Sequence, residues 1–122
     1  MFFKKLASRQ KEANSLLCVG LDPDMNRIPS SIRAKPEQIF EFNKIIVDST
    51  YDLTACYKLQ IAHYSSEAAE DQLENTIQYI RTKGIPVVLD AKRSDIGSTA
   101  EKYARELFER YEADAVTVNP FL

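Results

Sequence analysis

Glycine is scarce, with three residues spread singly through 122, so the glycine-rich loop that cradles phosphates in many nucleotide-binding folds is excluded. The single histidine, His63, and the two cysteines, Cys18 and Cys56, stand far apart in the chain and form no metal-binding spacing. Both cysteines fall in apolar runs, where a reduced thiol behaves as a small buried apolar group. No stretch approaches the roughly eighteen apolar residues that a membrane-spanning helix needs. Residues 1–10 also lack the apolar core and small-residue cleavage site of a signal peptide. These absences predict a cytoplasmic protein with no membrane partner. A surplus of one charge is missing too: sixteen basic and eighteen acidic residues give a net charge of −2 without any block of like sign, which argues against a nucleic-acid partner.

What is present is an ordinary globular composition, 44% hydrophobic and 28% charged. Four short β-rich runs recur, at Ser15 to Asp22, Thr54 to Ile61, Ile85 to Asp90 and Ala115 to Asn119. Helical patterns separate them. Pro36 suits a first helical turn, and Ile39, Phe42, Ile46 and Val47 continue as an apolar stripe. From Ser65 to Lys83, Ala69, Leu73, Ile77 and Ile80 share a face, and Gly84 stands where a left-handed cap belongs. Ser98 and Glu101 have capping-box spacing, and the apolar face that follows runs Ala100, Tyr103, Leu107, Phe108 and Tyr111. Strands alternating with helices predict right-handed βαβ units on a parallel sheet, an α/β protein with no internal domain boundary.

In such folds the functional groups collect at the C-terminal ends of the strands. The four runs end in Asp22, in Lys58 and Gln60, in Asp90-Ala91-Lys92-Arg93-Ser94-Asp95, and in Asn119. Taken singly, each has a plain structural explanation: Asp22 opens a turn, Lys58 is solvated, and Asn119 precedes Pro120 in a turn. The third cluster is denser. Asp90 and Lys92 lie two residues apart and face the same way if the strand continues that far. The alternative for this cluster is a solvated loop with a weak surface ion pair. His63, just past the second run, reads as a polar loop residue.

The segment Val88 to Thr99, with Asp90, Lys92 and Asp95 followed by Ile96, Gly97 and Thr99, resembles the signature of the orotidine 5′-phosphate decarboxylases, Asp-x-Lys-x-x-Asp. Leu21-Asp22, Tyr57-Lys58-Leu59-Gln60 and Val116 to Pro120 match the same family in order, so the resemblance spans nearly the whole chain. It implies the first four βα units of a (β/α)8 TIM barrel, whose complete form takes about 250 residues. Residues 1–122 are thus read as the N-terminal half of one domain. The resemblance further implies a tetrad of alternating sign, Lys58, Asp90, Lys92 and Asp95, with Asp95 reaching the active site of a second subunit in a homodimer. Asp22 and Lys58 would bind the ribose, Ile96 and Thr99 would complete the nucleotide pocket of the neighbouring copy, and Asn119 would face the same cleft. Fusion to orotate phosphoribosyltransferase, found in part of the family, is a further possibility for the full-length protein.

The implied reaction converts orotidine 5′-phosphate to UMP in pyrimidine biosynthesis, without a cofactor or metal. Loss of CO2 from C6 leaves an anion in the ring plane, and an ammonium fixed beside C6 stabilises it and then supplies a proton. Lys92 is the expected donor, with Asp90 and Asp95 favouring its charged form. The family's phosphate-binding loops follow later strands, so the 122 residues alone are expected to turn over substrate poorly. Two other readings stand beside this one. Magnesium-dependent sugar-phosphate decarboxylases and synthases of the same superfamily share the third-strand motif but carry an acidic metal ligand where this chain has Lys58. The other is a non-catalytic half-barrel that serves as an interaction module.

Overall fold

The computed structural model describes residues 1–121, in which helices and strands alternate after an N-terminal helix. The elements are α1 (Phe2–Ala13), β1 (Cys18–Gly20), α2 (Ser30–Arg33), α3 (Gln38–Thr50), β2 (Cys56–Gln60), α4 (Ala62–Ser65), α5 (Glu70–Thr82), β3 (Val87–Arg93), α6 (Gly97–Arg105) and β4 (Ala115–Val118). The strands form one parallel sheet in the order β1-β2-β3-β4. The predicted α/β architecture is therefore present.

Alternation along the strands splits the sheet into two faces. Tyr57, Leu59, Val87 and Leu89 are wholly buried and join Ile39, Val47, Leu73, Ile77 and Ile80 of α3 and α5 in one core. Lys58 and Asp90 lie on the opposite face. The stripe predicted for the second helix is buried as expected, and Gly84 has φ 71°, closing α5 in the left-handed conformation that suits glycine.

Several local expectations are corrected. The helix expected over Ser65 to Lys83 starts only at Glu70, as α5; before it come the short α4, ending at Ser65, and a turn in which Ala68 has φ 50°. Pro36 lies outside α3, whose N-cap residue is Glu37. The free N–H groups of Ile39 and Phe40 are satisfied instead by Gln72 Oε1 of α5, at 3.0 and 3.1 Å. The capping box does not form: α6 begins at Gly97, so Ser98 is inside the helix and makes no side-chain cap. The helix then widens into a π turn at Glu106–Arg110, and of its expected apolar face Leu107 and Tyr111 are buried while Phe108 is exposed.

Cys18 is exposed although expected inside, because β1 is an edge strand and Cys18 lies at its start; its in-register neighbour Cys56 is buried. Helix α1 was not anticipated. Its inward side includes Lys5 and Arg9, so apolar periodicity misses it. Lys5 Nζ binds both Asp114 oxygens at 2.8 and 3.0 Å, and Arg9 Nε donates to the Thr54 carbonyl at 3.1 Å. Asp114 Oδ2 also accepts the Val87 N–H at 2.8 Å, which ties α1 to the start of β3.

Candidate active site

The C-terminal ends of the strands bring four charged side chains into a row. Leu21 extends the β1–β2 ladder by donating its N–H to the Lys58 carbonyl at 2.9 Å, and its own carbonyl accepts the buried Tyr64 hydroxyl at 2.8 Å. Asp22 thus leaves the sheet from an anchored backbone. Its Oδ1 accepts the Gln60 N–H at 3.1 Å, and its Oδ2 lies 3.2 Å from Lys58 Nζ. Lys58 Nζ is also 3.4 Å from Asp90 Oδ2, and Asp90 Oδ1 is 2.6 Å from Lys92 Nζ. The signs alternate along Asp22, Lys58, Asp90 and Lys92. Strand register explains the order, since Lys58 pairs with Gly20 on one side and Val88 on the other.

Asp90 is the most enclosed member, its side chain 13% exposed against 64% for Lys92. Hydrogen bonds from Lys92 and Thr117, with the positive charges of Lys92 and Lys58, outweigh the desolvation that burial imposes and hold its carboxyl down to about 2. Strand β3 runs through Arg93, so Asp90 and Lys92 do project from one strand. They do so across an irregularity in the β3–β4 pairing between Leu89 and Arg93, where Lys92 adopts φ 49°. A left-handed backbone costs a non-glycine residue roughly 1–3 kcal/mol, and such strain gathers at functional sites.

Sequence reasoning missed Thr117. Its hydroxyl donates to Asp90 Oδ1 at 2.7 Å and accepts the Lys92 backbone N–H at 3.1 Å. The signal was a single hydroxyl within the apolar run of β4, which a β-branched residue disguises as ordinary strand composition.

The remaining candidates lie apart from the row. Asp95 Oδ1 accepts the Ile96 N–H at 2.8 Å, and Asp95, Ile96 and Thr99 are all exposed. Asn119 turns onto its own chain, its Oδ1 accepting the Phe121 N–H at 3.0 Å while its carbonyl accepts the Ser94 hydroxyl at 3.1 Å. His63 sits in α4 with Nδ1 3.0 Å from the Pro23 carbonyl. A cleft of about 180 Å³ opens beside Asp22, lined by Pro23, Asp24, Arg27, Ile28 and Phe42. A larger hollow of about 260 Å³ lies between α6 and β4 and includes Asp95 but none of the four charged residues. Among the described residues, no three His, Cys, Asp or Glu side chains are grouped to hold a metal ion. No helix among them is long and apolar enough to cross a membrane.

Comparison with known proteins bears on the family and the fold. Residues 15–122 match the orotidine 5′-phosphate decarboxylase / HUMPS family. An orotidine 5′-phosphate decarboxylase of Cellvibrio japonicus is 60% identical over 125 residues, covering 99% of this chain and 46% of the relative. One from Ralstonia nicotianae is 57% identical over 123 residues, covering 99% and 45%. The chain thus spans about half the length of the curated relatives it matches. The structure of Leishmania donovani OMP decarboxylase superposes with a TM-score of 0.80 at 37% identity, over 98% of this chain and 44% of that one. Leishmania donovani UMP synthase gives 0.81 at 40% identity, over 98% and 25%. The four βα units are those of the family's TIM barrel, covering about half of it. On its sequence, its sheet and its relatives, this chain belongs to the orotidine 5′-phosphate decarboxylase / HUMPS family.

Proposed function

We propose that this chain supplies the N-terminal half of a barrel that decarboxylates orotidine 5′-phosphate to UMP without a cofactor, as a step of pyrimidine biosynthesis in the cytoplasm. The observation that carries the reading is the row Asp22–Lys58–Asp90–Lys92 at the strand ends. Its terminal ammonium is the most exposed of the paired groups at Asp90, and so is free to meet a substrate. In this mechanism Lys92 lies beside C6, stabilises the ring anion as CO2 departs, and transfers its proton to that carbon. Asp90 keeps the ammonium in place. Because Lys58 holds Asp90, the carboxylate cannot swing away. Asp22, with Lys58, binds the ribose hydroxyls.

Asp95, Ile96 and Thr99 are exposed, which fits a role in the site of a second copy within a homodimer. The match to a UMP synthase, of which this chain covers 25%, fits a module that also occurs in longer chains, including a fusion with orotate phosphoribosyltransferase. The magnesium-dependent sugar-phosphate reading is opposed by Lys58: its ammonium sits between the Asp22 and Asp90 carboxylates, the place a divalent cation would need.

The test compares the 122-residue chain with a fusion that adds the remainder of the Cellvibrio japonicus relative, assaying orotidine 5′-phosphate consumption and CO2 release. The fusion is expected to turn over without added metal, and the chain alone to show at most traces. Lys92→Ala in the fusion should lower kcat by about a thousandfold or more. An inactive or magnesium-dependent fusion, or one indifferent to loss of Lys92, would overturn the reading.

A further inference from the structure

Between Leu89 and Arg93 the β3–β4 register slips: Leu89 pairs with Val116 and Arg93 with Val118. Three residues of β3, namely Asp90, Ala91 and Lys92, therefore stand opposite one residue of β4, Thr117. A bulge of this kind removes regular ladder partners and bends the strand. The Lys92 amide finds its acceptor in the Thr117 hydroxyl at 3.1 Å, and the hydroxyl proton goes to Asp90 Oδ1 at 2.7 Å. The same carboxylate oxygen receives Lys92 Nζ at 2.6 Å. A closed ring results, in which one hydroxyl uses both its donor and its acceptor capacity.

We propose that Thr117 is a positioning residue, whose hydroxyl fixes both the left-handed backbone of Lys92 and the orientation of the Asp90 carboxylate, and so presents the Lys92 ammonium at a single place. Two features support the assignment. Lys92 is one of the few non-glycine residues with positive φ, and a strained backbone persists only where its surroundings over-determine it. A β-branched side chain is stiff at χ1, so the direction of the hydroxyl is set by the strand itself. Valine would fill the same space while offering neither bond. The consequence for catalysis rests on the proposed decarboxylation, whereas the positioning role does not.

The experiment follows Asp90 by carboxyl 13C NMR and the Lys92 amide by hydrogen exchange in the 122-residue chain, held below the concentration at which it self-associates. Thr117→Val is expected to move the Asp90 titration from about 2 upwards by roughly one pH unit. It should also speed exchange at the Lys92 amide about tenfold or more. Thr117→Ser should restore both. Unmoved titration and exchange in the valine variant would overturn the proposal. Should that variant fail to fold, the unaltered chain still decides: its Thr117 side chain must occupy one χ1 rotamer, and averaging among rotamers would refute the clamp. In the fusion protein, Thr117→Val should lower kcat about tenfold with KM little changed, and an unchanged kcat would contradict positioning. If the fusion proves inactive, the decarboxylase reading falls while the carboxyl and amide measurements still decide the role of Thr117.

Discussion

At Asp90 three donors converge on one carboxylate: Lys92 Nζ at 2.6 Å, the Thr117 hydroxyl at 2.7 Å and Lys58 Nζ at 3.4 Å. Together they hold its carboxyl at about 2, below the ordinary 3.8. A carboxyl depressed in the folded state contributes stability that is complete above the unfolded value and disappears as pH falls through the folded one. For Asp90 the window therefore runs from about 4 down to about 2. Asp90→Asn should be less stable than the unaltered chain near neutral pH by about 2 kcal/mol at most. The difference should shrink across that window, as read from urea midpoints at a series of pH values. A constant difference from pH 6 to pH 2 would mean that the lysines and Thr117 do not stabilise the carboxylate.

The helices do more than cover the sheet, because α3, α4 and α5 are joined by buried polar bonds that end at the site. Gln72 of α5 caps α3, Asn43 Nδ2 donates to the Tyr64 hydroxyl at 2.9 Å and to Thr76 Oγ1 at 3.2 Å, and the Tyr64 hydroxyl donates to the Leu21 carbonyl, next to Asp22. Burial pushes the Tyr64 phenol far above its ordinary pKa, which keeps it a donor at every physiological pH. Tyr64→Phe keeps the ring but leaves the Leu21 carbonyl without its donor and takes one of two acceptors from Asn43 Nδ2, so it should cost about 1–3 kcal/mol, measured as a lower urea midpoint with an unchanged slope. An unchanged midpoint would show that water replaces the phenol at no cost.

At the scale of the whole molecule, β1 and β4 are the outer strands of the sheet among the described residues. Apolar side chains stand exposed near them: Leu16 at 83%, Leu17 at 47% and Val118 at 64%. Unpaired strand edges with apolar flanks invite pairing with another chain. The 122-residue chain should accordingly self-associate with rising concentration in sedimentation velocity, while the fusion with the remainder of a relative should show only a defined species. A chain that stays monomeric at high concentration would mean that these edges are protected in some other way.

How much of this was legible in sequence follows from the range of the interactions involved. The strand–helix alternation, the buried stripe of α5, the left-handed Gly84 and the shared face of Asp90 and Lys92 are local matters of period and backbone preference, and a linear reading finds them. Helix α1 was missed because it is held by Lys5 and Arg9, whose partners lie far along the chain. The cap expected from Ser98 failed, and Gln72 capped α3 from another helix. Composition and motif alone determined the class of fold and the family, and named Asp22, Lys58, Asp90 and Lys92 among a wider set of candidates that also held Asp95, Ile96, Thr99 and Asn119. Only the tertiary structure decided that these four form one row, that Asp95 and Asn119 stand outside it within this chain, and that Thr117 joins it. The physical reason is register: which residues of adjacent strands stand opposite one another, and where a bulge interrupts them, depends on pairing between distant segments that no local pattern encodes.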